Sequence, residues 1–186
     1  MSRGIGLSWE GRGPGAALEK FCEDDGGEVQ DDVVLGIDAA AFPPIPPFPV
    51  PFQRKLAFSF AGLHSAVDRF ISMAQQNLPR AENQAPFSPG SNLPHHVRLA
   101  LARAFQTAAV KQLEEKVVLA LNWCREQERE GSIIDTASNG KIGMVKHVVV
   151  SGGVASNMFL RKRCVEMYCS ERRFSLTQVF QTQGGH

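Results

Sequence analysis

The chain has 186 residues, of which 43% are apolar and 21% charged. That is enough for one ordinary domain or two small lobes, and too apolar for wholesale disorder. The formal net charge of +1 excludes a nucleic-acid binder that acts by bulk charge alone. The charge is uneven: residues 1–55 carry five Lys/Arg against nine Asp/Glu, and residues 56–186 carry fifteen against ten. Contacts with phosphate are therefore expected from the later part.

Four cysteines, Cys22, Cys124, Cys164 and Cys169, show neither CxxC nor zinc spacing, and they read as ordinary thiols in or near a core. The first fifteen residues are dominated by glycine and proline and contain no apolar secretory core. Ala16 to Cys22 reads as a short helix, followed by an acidic loop with Glu23, Asp24, Asp25, Glu28, Asp31 and Asp32. The most apolar stretch, Val33 to Phe52, holds six prolines and cannot form a membrane-spanning helix. Its end, from Phe42 to Phe52, is expected to be extended, as a connector between packed elements or as a proline-rich ligand.

Leu56-Ala57-Phe58-Ser59-Phe60 alternates large apolar with small residues and predicts a half-buried strand. Gly62 breaks it, and Leu63, Ala66, Val67, Phe70, Ile71 and Ala74 fall at helical spacing up to about Asn77. Residues 79–93 form a polar loop. Val97, Leu101, Phe105, Ala108, Leu113, Val117, Leu121 and Cys124 then predict one long helix, or two with a bend, from Pro94 to about Glu130. Arg98, Arg103, Lys111 and Lys116 are assigned to its solvated face. Beyond a polar loop, Met144 to Val150 reads as a buried strand. It runs through Ser151-Gly152-Gly153 into a helix from about Ala155 to Tyr168, with Met158, Leu160, Cys164, Val165 and Tyr168 facing inward.

A strand, a Gly-Gly turn and a helix make a generic unit for approaching phosphate: glycines admit an anion to backbone N–H groups, and the helix dipole favours it. The turn lacks the lysine of a P-loop and the third glycine of a dinucleotide fingerprint. Ser59 and Ser65 have no His/Asp partner that the sequence places, and Asp68 and Asp135 are single carboxylates.

Val150-Ser-Gly-Gly-Val-Ala-Ser-Asn-Met-Phe-Leu-Arg161 resembles the GGVxxNxxLR motif of the tRNA threonylcarbamoyladenosine transferases, the TsaD/Gcp family. Phe58-Ser-Phe-Ala-Gly-Leu-His-Ser-Ala-Val67 resembles that family's FSFSGLKTAV. The stretch from Ala102 to Lys116 is similar to its AxSFQxAxxxxLxxK helix, and Gly15 to Lys20 to the end of PGGPALEKLA. The four occur in the family's order over roughly residues 13–163, and the FSF-x-GL form at Phe58–Leu63 resembles the bacterial and mitochondrial branch.

The resemblance implies an α/β fold, a partial actin-like ATPase (ASKHA, RNase H-like) lobe with a long helical segment. Within residues 1–186 it places the end of the first-lobe motif at 13–22 and an acidic and Pro-rich insertion at 23–54. The second-lobe core follows at 55–170 and a divergent tail at 171–186. It implies an acyltransferase moving threonylcarbamoyl from threonylcarbamoyl-AMP to N6 of adenosine 37 in ANN-decoding tRNAs. Gly15, Gly152, Gly153 and Asn157 match positions that contact substrate or nucleotide, and the catalytic residues are left unassigned.

The implied cofactors are one divalent metal, iron or zinc, and threonylcarbamoyl-AMP or ATP as nucleotide ligand. The implied partners are tRNA and a second copy or other proteins of the pathway, with no membrane. The expected location is the mitochondrion, otherwise the cytoplasm. The chain departs from the pattern as well. It has no HxxxH pair among His64, His95, His96, His147 and His186, and no CTDNGAMIA segment. It thus resembles only the second half of the enzyme, and in isolation it is expected to be inactive or nearly so, or to act as a nucleotide- or partner-binding module. His64 stands where the family has Lys and reads as a helix-surface histidine. Arg161, Lys162 and Arg163 are candidates for tRNA phosphate or for a solvated face.

Overall fold

The computed structural model describes residues 1–9, 11, 13–24, 42–45, 47–76, 92–130 and 148–170. Its helices are α1 (Pro14–Glu23), α2 (Ala61–Gln76), α3 (His95–Arg129) and α4 (Met158–Ser170), with a 3-10 turn at Gly153–Ser156 before α4. The chain divides into two compact units, Met1–Pro51 with Ser59–Ala109, and Phe52–Phe58 with Val110–His186.

The first unit is built on the helical periodicity of α2. Leu63, Ala66, Val67, Phe70, Ile71 and Ala74, the residues the spacing selects, are all buried. They join Val97, Leu101, Ala102, Phe105 and Ala108 of α3 in one core. Burying the Leu, Val, Ile and Phe side chains of this set stabilises by roughly 1.5–3 kcal/mol each, and the alanines by less. Ile5 and Cys22 are buried in the same core. Ile5 lies in an N-terminal turn closed by Leu7 N–H to the Ser2 carbonyl at 2.9 Å, in a stretch that glycine and proline make look featureless.

The proline-rich segment acts as a packed connector here. Phe42, Ile45 and Phe48 lie against the core, with the Phe48 ring edge-on to Phe105 at 6.4 Å. Helix α1 starts at Pro14, whose missing N–H costs nothing in the first turn. Its C-terminal carbonyls are held by one side chain: Arg103 Nε donates to the Cys22 carbonyl at 2.9 Å, and its second guanidinium nitrogen to the Asp24 carbonyl at 2.7 Å. A cation there also complements the helix dipole. Arg103 is thus a cap, not a member of a purely solvated face, and Arg98 lies 5.4 Å over the Phe21 ring.

In the second unit the contacts of α3 change character. Leu113 and Val117 are only half-buried, whereas Gln112 and Lys116 are buried. The solvated assignment of Lys116 is therefore overturned. Its ammonium donates to the Phe52 carbonyl at 2.6 Å and lies 3.4 Å from Glu115 Oε2, which offsets the cost of burying the charge.

Two strand expectations meet different outcomes. Leu56 to Phe60 is not a strand, and Leu56, Phe58 and Phe60 are exposed. A strand needs a neighbour to pair with, and there is no strand among the described residues. Of Met144–Val150, the first four residues lie outside the described residues, and 148–150 carry no regular structure. The described part of the fold is helical. In α4 the expected inward face is also corrected: Leu160 is buried and Cys164 half-buried, but Met158 and Val165 are exposed, and the Tyr168 side chain lies outside the described residues.

Cys22, Cys124 and Cys164 are free thiols. Burial pushes the Cys22 thiol up to about 11, from an ordinary value of 9.0. Between these values the unfolded chain gives up a proton that the folded chain keeps, so this group's contribution to stability falls as pH rises through that window. Urea unfolding should therefore show a steeper loss of stability above pH 9 in the parent than in Cys22→Ala. Equal slopes would contradict the burial of this thiol.

Candidate functional site

The candidate turn follows residues 148–150 and starts at Ser151 and Gly152. Gly152 has φ +83° and ψ −175°, a backbone region that side-chain-bearing residues rarely adopt. A Cβ added at Gly152 or Gly153 would meet nothing within 4 Å, so conformation, not crowding, sets the requirement at Gly152. Ser151 to Val154 are exposed, and Ala155 alone in the turn is buried.

The turn is fastened from within. Ala155 N–H donates to the Gly152 carbonyl at 3.0 Å and Asn157 N–H to the Val154 carbonyl at 3.1 Å. Ser156 Oγ donates to the Gly153 carbonyl at 2.7 Å. Arg161 Nε reaches back from α4 to the Ala155 carbonyl at 2.6 Å.

Asn157 has a local task. Its Oδ1 accepts the Leu160 N–H at 2.7 Å, the side-chain bond of a helix N-cap. The acceptor side of the amide is therefore engaged in starting α4, and its donors are the groups to consider for a ligand.

The basic run after it separates into distinct roles. Arg161 is bound to the turn, and Lys162 is exposed. Arg163 makes a forked pair with Glu114 of α3, Nε to Oε1 at 2.9 Å and Nη2 to Oε2 at 3.1 Å, and touches Glu166 at 3.1 Å. The hydrogen bond to Glu114 raises the guanidinium above its already high ordinary value. Arg163 thus joins α4 to α3 and is not a free phosphate ligand. Sequence reading missed this pair because Glu114 and Arg163 are 49 residues apart.

The structure brings Gly152, Gly153 and Asn157 into one turn of the second unit. Gly15 belongs to the first unit, exposed in the opening turn of α1 behind Gly13, which has φ +83°. His64 is exposed on α2, its ring edge-on to Phe105 at 5.6 Å, as a surface histidine. His95 and His96 diverge: His95 lies against Phe21 and 3.3 Å from Asp24, whereas His96 lies against Phe42. No group of three or more His, Cys, Asp or Glu among the described residues could hold a metal ion. The described residues therefore offer no ligand set for the divalent metal that the motif resemblance implies.

Two curated relatives match this chain. A probable mitochondrial tRNA N6-adenosine threonylcarbamoyltransferase of Arabidopsis thaliana is 32% identical over 115 residues, 62% of this chain and 20% of the relative. A mitochondrial tRNA N6-adenosine threonylcarbamoyltransferase of Schizosaccharomyces pombe is 26% identical over 161 residues, 85% of this chain and 28% of the relative. The chain resembles part of a mitochondrial tRNA N6-adenosine threonylcarbamoyltransferase. No family model and no solved structure matches it. The chain spans between a fifth and a third of the length of these transferases. Among the described residues no helix is long and apolar enough to cross a membrane.

The cap at Asn157 can be tested directly. Asn157→Ala should cost about 1 kcal/mol in denaturant unfolding and speed amide exchange at Leu160, whereas Asn157→Asp should keep both near the parent. Unchanged exchange at Leu160 in the alanine variant would contradict the cap.

Proposed function

We propose that this chain serves the formation of threonylcarbamoyladenosine in mitochondrial tRNA, as a partial transferase that presents the nucleotide-facing turn. The observation that carries this reading is the match to two mitochondrial threonylcarbamoyltransferases. Its sequence motifs lie in the family's order, and the positive φ of Gly152 in an exposed turn is compatible with close approach of a ligand to the backbone.

In the proposed reaction, N6 of adenosine 37 in an ANN-decoding tRNA attacks the carbamoyl carbon of threonylcarbamoyl-AMP. A C–N bond forms, the bond from that carbon to the phosphate oxygen breaks, AMP leaves, and the N6 proton passes to solvent or a base. Gly152 and Gly153 are assigned to the phosphate side of the adenylate through exposed backbone. Asn157 is assigned to the nucleoside through its amide donors. In the complete enzyme these residues belong to an α/β, actin-like lobe. No step is assigned to a metal in this chain.

Thermal unfolding with and without ATP tests the turn. A hundredfold excess of ATP over its Kd should stabilise the parent by about 2.7 kcal/mol. Asn157→Ala, compared with its own ATP-free baseline, should gain much less. No ATP effect on the parent would contradict a nucleotide role for this chain.

A further inference from the structure

Beside α1 lies a cavity of about 500 Å³ that the transferase reading does not use. Leu7, Trp9, Ala17 and Phe21 give it apolar walls, and Lys20 and Glu23 give it charge. All six belong to the first unit, and none is a residue of the Gly152–Asn157 turn. The volume is that of a small-molecule site, in which a mostly apolar lining carries a few converging polar groups.

Two features select the ligand. The first is the indole of Trp9, whose N–H is buried and has no acceptor among the described residues. A buried donor left this way is costly, and a ligand that brings an acceptor relieves it.

The second is the charge around the rings. Arg3 lies 4.6 Å over the Trp9 ring and Arg98 5.4 Å over the Phe21 ring, so each wall already carries a cation of this chain. A bare cation is therefore a poor occupant, although aromatic walls attract cations in general. Lys20 and Glu23 stand three residues apart on α1, both exposed, and offer one charge of each sign. Asp24 also lines the cavity, but its carboxylate lies 3.3 Å from His95 Nε2, which leaves Glu23 as the carboxylate better placed to meet a ligand. The lining thus asks for an apolar body with an anionic group and a cationic group on it.

We propose that this cavity binds a large apolar α-amino acid, of the kind of phenylalanine or leucine, as the free zwitterion. Its side chain packs against Leu7, Ala17 and Phe21. Its carboxylate accepts the Trp9 N–H after a small turn of the indole and faces Lys20, and its ammonium faces Glu23. None of these contacts involves nucleotide or tRNA, so the site stands or falls apart from the transferase reading.

The experiment uses the full chain. There are two tryptophans, and Trp123→Phe, at an exposed position of α3, leaves Trp9 as the one indole reporter. L-phenylalanine or L-leucine at millimolar concentration should shift the Trp9 indole N–H resonance and its fluorescence maximum. Phenethylamine, which lacks the carboxylate, and 3-phenylpropionate, which lacks the ammonium, should each bind about tenfold more weakly or worse. In calorimetry, Glu23→Gln and Trp9→Phe should each weaken the amino acid about tenfold. Ala17→Leu, which fills the cavity with another good helix former, should abolish binding without lowering the thermal midpoint.

A Trp9 indole that responds to neither amino acid would overturn the proposal. So would equal binding of the amine or the acid alone, or undiminished binding by Ala17→Leu. A response of the indole to ATP and not to the amino acids would overturn it in favour of a nucleotide site.

Discussion

The constraint on which the rest depends is helix α3, a single run of 35 residues that serves two units by two kinds of chemistry. At a rise of about 1.5 Å per residue it is about 52 Å long, far more than one small core can cover. Over Val97 to Ala108 it packs apolar side chains against α2, which needs only shape and volume. From Gln112 to Lys116 it buries polar groups instead, and each must find a partner. Lys116 takes the Phe52 carbonyl, Glu115 takes the Arg54 N–H, and Glu114 takes Arg163 of α4. In the second unit these three consecutive residues of α3 each anchor a different segment, beside the buried Val110, Leu121, Ala155 and Leu160.

How much of this was legible in the sequence depends on the range of the interaction. The buried face of α2 follows from local periodicity, and the structure keeps every residue of it. The same holds for α1, for the start of α3 beside Pro94, and for the Gly-Gly turn ahead of α4. What periodicity could not supply are bonds across long separations. Arg103 capping α1 spans 81 residues, and Lys116 reaching Phe52 spans 64. Both were assigned to a solvated face because a lysine or arginine between apolar positions carries no local sign of a distant carbonyl. The strand expected at Leu56–Phe60 fails for a related reason: alternation specifies a face, but a strand exists only when a neighbour completes the ladder.

The site shows the same division. The turn conformation at Gly152 was readable from the glycines, since a positive φ is what they supply at least cost. The second use of Asn157 was not: its side-chain Oδ1 caps the start of α4 by accepting the Leu160 N–H, so the residue serves the helix before any ligand is considered. Arg163 likewise turns from a phosphate candidate into a strut once Glu114 is found beside it. The match to two mitochondrial threonylcarbamoyltransferases and the fastened, exposed Gly152–Asn157 turn are the two observations behind the proposed role.

The most direct measurement is the threonylcarbamoyladenosine content of ANN-decoding mitochondrial tRNAs, by nucleoside mass spectrometry, in cells lacking this chain. The account predicts a fall of several-fold, restored by the parent chain but not by Gly152→Val, which the φ of +83° disfavours. Modification at the normal level without the chain, or full restoration by the valine variant, would contradict it.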